Sequence, residues 1–422
     1  MDHPIHAVWS SPDGPTLVGS GVAATVTGGV AERFATLREA GEGVFDRVNA
    51  DGVPEAARPR LLGGFSFHDR HAAEGPWEDF PPAWFVLPEV LVTLTGEEGW
   101  ITVTADVETE STDELLARAR RLRTSIRDAG PVLEPPGIDA IERTTTFDEW
   151  MDQVNGATAA IESNDIEKVT LAQTIEATLE NPFPLAGTLE RMGSAYPSCY
   201  RFGMRPGASS VDPTPTGQEP PAISTFFGAS PERLVSKRGS TLRTEALAST
   251  VGRGETDAED ERLASQLTSD EKYRHEHDIV VESITDQLES VASDIRSGPR
   301  SIRRLESVQH LLTPIEAHSE TRHVLDVVEA LHPTPAVGGL PPAEALETIR
   351  STEKFDRGWY AAPVGWFDAS GDGTFAVGIR SAVASDAKAT LFAGNGIVAD
   401  SDPTAEWDEV QLKYRPVLDR LR

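Results

Sequence analysis

Strand-forming and helix-forming patterns are scattered along this chain without a regular strand–helix–strand rhythm, and that irregular order constrains the fold more than any other feature. A parallel doubly wound sheet needs a crossover helix between successive strands. Here Trp100-Ile101-Thr102-Val103-Thr104-Ala105 alternates as a half-buried strand should, and 375–380 does the same. Segments 61–67 and 84–88 read as strand ends, and 168–172, 223–227 and 363–367 as strands, with Gly and Pro turns between them. Helical periodicity is confined to 112–129, 146–163, an acidic stretch at 258–291, and 404–413. In the second of these, Trp150, Val154 and Ile161 face inward. Segment 205–221, rich in Gly, Pro, Ser and Thr, reads as an irregular loop. The fold class expected is therefore α+β, with antiparallel sheets flanked by helices.

Composition narrows the function. The 422 residues, 39% of them hydrophobic, can bury a large core. No run of about 18 apolar residues occurs, so no membrane span is expected. The start, Met1-Asp2-His3-Pro4, lacks the features of a signal peptide, and the single Cys199 fits a reducing compartment, so a cytoplasmic protein is expected. A formal charge of −30 repels phosphate and argues against nucleic acid as a partner. Only six residues are lysine, and an acidic, lysine-poor surface suits concentrated salt, which points to a halophilic source. With 68 acidic residues in 422, two carboxylates on one helix face say little. A lysine in a strand says more.

Six segments carry chemistry. Lys168 shares a strand face with Thr170 and Ala172, where a partly desolvated amine can act as a base. Glu232 follows Gly228-Ala229-Ser230-Pro231, a turn able to place a carboxyl at the lip of a sheet, where burial would make it an acid. In Arg274-His275-Glu276-His277 the histidines are two apart and diverge on a helix, which excludes the two-His zinc pattern and leaves Glu276 as an oxygen ligand suited to Mg²⁺. Glu406, Glu409 and Lys413 fall at i, i+3 and i+7 on one helix face. Segment 392–398 reads as a strand with paired glycines, Gly394 and Gly396, in a turn that can aim backbone N–H groups at a carboxylate, and Arg380, closing a strand, can grip one in bidentate fashion. Each alone reads better as a surface residue. Together they supply a base, an acid, ligands for a hard cation and donors for a substrate with two carboxylates.

In this order the segments resemble the chorismate-utilising enzymes, the isochorismate, salicylate, anthranilate and aminodeoxychorismate synthases. The resemblance is carried by 168–172, 228–234, 245–254, 275–277, His310-Leu311-Leu312-Thr313-Pro314, 334–339, 360–366 and the Gly394 and Glu406 segments, and Gly63-Gly64 with 84–88 echoes the family's N-terminal part. It implies that family's fold, with 1–140 contributing an N-terminal α/β portion and 141–422 the chorismate-binding catalytic region. Anthranilate synthases carry glutamine where Lys168 stands. Lys168 with Thr334-Pro335-Ala336-Val337-Gly338-Gly339 therefore resembles the water-using branch, and an isochorismate synthase is implied.

The resemblance further implies that Lys168 activates water at C2 of chorismate and that Glu232 protonates the departing 4-hydroxyl. Glu276 and Glu409, with Glu406 assisting, would bind Mg²⁺. Lys413 with Gly394 and Gly396 would hold the ring carboxylate, Tyr360 and Arg380 the enolpyruvyl carboxylate, and Thr250, His310 and Ala336 would line the site. A monomer without a glutamine amidotransferase partner is expected, with menaquinone synthesis as the outlet. A salicylate synthase, an aminating synthase and an inactive chorismate-binding subunit remain alternatives. The chain departs from the family pattern at Gln173, at Ala362 and above all at Ser249, which stands for a glycine in the substrate loop.

Overall fold

A computed structural model describes residues 4–422 except 107, 109, 126–132, 164, 208–222, 307 and 322. Antiparallel ladders assemble the strands into two large sheets. One, of eleven strands, runs Gly339–Leu340, Lys168–Leu179, Lys388–Ile397, Ser381–Ser385, Thr225–Ser230, Tyr200–Met204, Ile5–Ser10, Thr16–Ser20, Val90–Thr95, Glu98–Val103, with Ile138–Arg143 also on Lys168–Leu179. The other, of ten, runs Ala292–Ser297, Val308–Ser319, Thr241–Gly252, Arg233–Arg238, Gly373–Val377, Pro363–Asp368, Arg60–Phe65, Ala83–Leu87, Ala24–Gly28, with Ser301–Arg304 also on Val308–Ser319. This is the α+β architecture expected. Strands from the first 140 residues enter both sheets, Ile5–Ser10 beside Tyr200–Met204 and Arg60–Phe65 beside Pro363–Asp368.

Five strands are largely apolar because both of their faces are covered. Arg60–Phe65, Ala83–Leu87, Thr225–Ser230, Pro363–Asp368 and Gly373–Val377 are buried at every position. Aromatic rings fill the middle, with Trp77, Phe80, Phe226 and Trp359 in mutual contact. Such burial is the main favourable term in holding the sheets together.

The helices begin where side chains can take up their free N–H groups. Thr146 and Glu149 form a reciprocal cap for Phe147–Glu162, which buries Trp150, Val154 and Ile161 as expected. The acidic stretch 258–291 is two helices, not one. Asp257–Ser269 ends at Asp270, whose extended backbone (ψ 128°) breaks the helix. The Asp270 side chain then accepts from the Lys272 N–H and starts Glu271–Leu288. Periodicity runs through this break because both halves are amphipathic; only the capping aspartate signals it. Thr112–Ser125 is helical, while the rest of 112–129, like most of 205–221, lies outside the described residues. Pro403–Leu421 closes the chain, capped by Asp402, with Val410, Tyr414, Val417 and Leu421 buried. No helix among the described residues is long and apolar enough to cross a membrane.

Candidate active site

Lys168 opens a strand paired on both sides, by Gly339–Leu340 and by Lys388–Ile397. No sheet edge is left from which its side chain can reach water, and the residue is 4% exposed. Its Nζ lies 3.4 Å from Glu276 Oε1. On the neighbouring strand, a Cβ added to Gly396 would stand 2.7 Å from Lys168 Cε and 3.2 Å from Nζ. One added to Gly394 would come within 3.1 Å of the Tyr360 hydroxyl and 2.8 Å of the Leu171 carbonyl oxygen. Both glycines sit within the ladder opposite Ala172 and Thr170, in the strand expected of them but with no turn there. What they give is clearance for Lys168 and Tyr360, and Gly394 presents a carbonyl to Lys413.

Glu232 lies at the step between Thr225–Ser230 and Arg233–Arg238, where the chain crosses from one sheet to the other. It is 4% exposed and accepts from the Thr334 hydroxyl at 3.3 Å. Burial first, and the neighbouring Glu245 charge second, push its carboxyl up to about 7, against Thr334, Arg380 and Lys168. A carboxylic acid near 7 can give or take a proton at neutral pH.

Two helices bring the remaining carboxylates. Glu276 lies in the second turn of Glu271–Leu288, whose inner face buries His277, Val280, Ile284 and Leu288. His277 Nε2 pairs with the Thr313 hydroxyl at 2.8 Å, inside the core and away from any metal role. From the C-terminal helix, Glu406, Glu409 and Lys413 face the same cavity. Burial, then the Glu409 charge, push Glu406 up to about 7. Burial works the same way on Glu409, but Lys413 at 2.8 Å, Asn395 and Arg380 outweigh it and hold that carboxyl below its ordinary value. Asn395 joins these groups, its amide donating to Glu406 and its carbonyl accepting from Lys413. With Glu409, Asn395 and the Gly394 carbonyl as partners, all three ammonium donors of Lys413 are engaged.

Arg380 differs from Lys413 in this respect. The strand expected to run to it ends at Val377, and Arg380 lies beyond in the left-handed region (φ 52°), its carbonyl accepting from Ala229 N–H. The residue is buried, and among the described residues its guanidinium takes part in no ion pair or hydrogen bond. An unpaired buried guanidinium on a cavity wall calls for an anionic ligand. His310 is held neutral by burial and by the nearby positive charges of Arg380, Lys413 and Arg303. Its Nδ1 meets the Thr250 hydroxyl at 3.0 Å, while Nε2 has no partner among the described residues.

One cavity of about 280 Å³ is lined by every residue expected to act: Lys168, Glu232, Thr250, Glu276, His310, Ala336, Tyr360, Arg380, Gly394, Gly396, Glu406, Glu409 and Lys413. The sequence profile of the family described as "Chorismate binding enzyme" matches residues 3–422. The chain belongs to the chorismate-binding enzyme family. It is 34% identical to the isochorismate synthase MenF of Bacillus subtilis, over 87% of this chain and 75% of that one. It is 36% identical to the salicylate biosynthesis isochorismate synthase of Pseudomonas aeruginosa, over 95% of this chain and 82% of that one. The solved structure of MenF from Escherichia coli, described as a menaquinone-specific isochorismate synthase, superposes with a TM-score of 0.81 at 25% identity. That superposition covers 100% of this chain and 90% of the other.

Around this family site stand residues that sequence reasoning missed. Glu245 accepts the Arg233 N–H at 3.3 Å and both arms of Arg303 at 2.5 and 3.0 Å, while Arg303 also donates to the Pro231 carbonyl at 2.6 Å. The pair thus clamps the backbone on either side of Glu232. Glu353 accepts the Ala172 N–H and pairs with Arg357, which donates to the Thr170 and Val337 carbonyls, fixing the Lys168 strand. Asn395 was legible only as a polar residue inside an apolar strand. Glu245 was visible only as the first residue of segment 245–254, and Arg303, Glu353 and Arg357 left no signal, because among so many charged residues a buried pair looks like a surface one.

Proposed function

We propose that this protein is an isochorismate synthase, in which Lys168 takes a proton from water attacking C2 of chorismate and Glu232 gives one to the departing 4-hydroxyl. The carbon–oxygen bond at C2 forms, the ring double bonds shift, and the bond at C4 breaks, so one water enters and one leaves. The observation carrying this reading is that a buried lysine and a carboxylic acid held near 7 line the same small cavity. Arg380, whose guanidinium has no hydrogen bond or ion pair among the described residues, grips a substrate carboxylate beside Tyr360, and His310 offers to the ligand its Nε2, unpartnered among the same residues.

Mg²⁺ fits the donor set. Glu276, Glu406 and Glu409 are oxygen ligands only, and the repulsion felt by Glu406 from Glu409 and Glu276 is of the kind a hard cation relieves. Among the described residues no three His, Cys, Asp or Glu side chains form a ready-made metal cluster, so water and substrate would have to complete the coordination of a cation held here. Glu276 and Glu409 would hold it, with Glu406 assisting, and it would supply positive charge for a substrate carboxylate. Lys413 serves chiefly to hold Glu409 in place.

The enzyme is proposed to act in the cytoplasm as a monomer without an amidotransferase, and its charge of −30 with six lysines is proposed as adaptation to concentrated salt. Its product is assigned to menaquinone synthesis, following the Escherichia coli structure's description. The test is to incubate purified protein with chorismate and Mg²⁺ and separate the products by chromatography. Isochorismate is expected; salicylate with pyruvate, or turnover only with ammonia, would refute the reading.

A further inference from the structure

Ser249 stands where the resemblance leads one to expect glycine, and the backbone shows why glycine would fit there. Across the ladder Ala248 faces Leu311 and Thr250 faces His310, so Ser249 is the one residue left unpaired, a β-bulge. Its φ is 58°, a region that glycine enters freely and that strains any residue with a Cβ. A serine kept in this conformation has to offer something through its side chain.

The bulge places Ser249 in the cavity wall. Its Oγ lies 2.8 Å from the Tyr273 carbonyl oxygen and 3.1 Å from Glu276 Oε2. The other oxygen of that carboxylate, Oε1, faces Lys168 Nζ at 3.4 Å. Glu276 is therefore held from two directions, by a lysine of the eleven-stranded sheet and by a serine of the ten-stranded one.

We propose that Ser249 is a positioning residue for Glu276, its hydroxyl fixing the rotation of the carboxylate between Lys168 and the cation. This rests on the assignment of Glu276 as a cation ligand made above. The hydroxyl has one proton and two acceptors in reach. Shared between the Tyr273 carbonyl at 2.8 Å and Glu276 Oε2 at 3.1 Å, that proton would hold the carboxylate in one orientation with or without a cation. Without it only the lysine contact remains, the carboxylate plane turns freely, and binding a cation must order it again. Hydrogen-bond partners that orient a metal ligand in this way commonly set the metal's affinity.

Two variants separate positioning from mere structure. Ser249→Gly removes both hydroxyl and strain, whereas Ser249→Ala removes the hydroxyl and keeps the strain. Calorimetric titration of the purified protein with MgCl₂, without chorismate, should show Mg²⁺ affinity falling about tenfold or more in both. Their thermal midpoints should diverge, with Ser249→Gly at or above the wild type and Ser249→Ala below Ser249→Gly. If Ser249→Gly binds Mg²⁺ as tightly as a wild type that both binds Mg²⁺ and converts chorismate, the proposal for Ser249 is overturned and the assigned function stands. A wild type that binds no Mg²⁺ overturns both the cation assignment and this proposal.

Discussion

Replacing Gly396 by alanine tests the geometry of the base more sharply than removing the base itself. The added methyl would stand 2.7 Å from Lys168 Cε, whereas carbon atoms in contact settle at about 3.5–4.0 Å. The end of the lysine must therefore retreat by roughly 1 Å. Because the obstructed atoms are the far end of a flexible side chain, the sheet need not move. Gly396 also sits at an ordinary strand position whose φ is not left-handed, so alanine adds no backbone strain. Folding should be spared, with a thermal midpoint within about 3 °C of wild type. Catalysis should not be spared. A displacement of about 1 Å at a reacting group costs on the order of 10² in rate, or about 2.7 kcal/mol of barrier. Steady-state conversion of chorismate, followed by chromatography, should show the loss in kcat, beside a melting curve by circular dichroism. A Gly396→Ala enzyme that folds normally and keeps near-wild-type kcat would refute both the role of Lys168 and the clearance given by Gly396.

Three further outcomes follow from the same site. Glu232 must be protonated to act as the acid, so activity should fall as pH rises through about 7. In Glu245→Gln a charge that raises Glu232 is gone, and that limb should move to lower pH; an unmoved limb would exclude the interaction. Stability should show the opposite side of this arrangement. The Glu232 carboxyl is neutral at low pH, and the destabilisation from ionising it where it is buried grows as pH rises from about 4.5 through about 7. By pH 8 it amounts to on the order of 3 kcal/mol, so Glu232→Gln should melt about 3 °C higher there while losing turnover. Equal melting at pH 8 would show that Glu232 is not strained by its burial. Finally, chelation should abolish turnover reversibly, and Mg²⁺ should restore it better than Zn²⁺; activity that survives chelation would remove the cation from the mechanism.

Legibility in the sequence followed the range of the forces involved. The α+β class and a minority of the strands came from local patterning, since burial on one or both faces is written into residue order. Helix Phe147–Glu162 was readable for the same reason, its apolar spacing and Thr146–Glu149 cap being local. The break at Asp270 was missed because periodicity is blind to a single capping residue between two amphipathic halves. The strand through the paired glycines was readable, but the turn attributed to them is absent from it, because glycine marks both turns and close approaches, and only the neighbouring strand shows which.

By itself, the sequence determined the chemical inventory: one lysine placed in a strand, a glutamate after a Gly/Pro turn, carboxylates at helical spacing, and an order of segments resembling one family. Tertiary structure alone decided which of these meet. It buried Lys168 between two strands and pushed Glu232 up to about 7, in a wall where Glu245 adds to the effect of burial. It engaged Lys413 fully with protein groups and left the Arg380 guanidinium without a hydrogen bond or ion pair among the described residues, a distinction invisible between two basic residues in a row of letters. The reason is physical. A side chain's affinity for a proton or an anion depends on the water it has lost and the charges within a few ångströms, and both are set by residues far away in the chain.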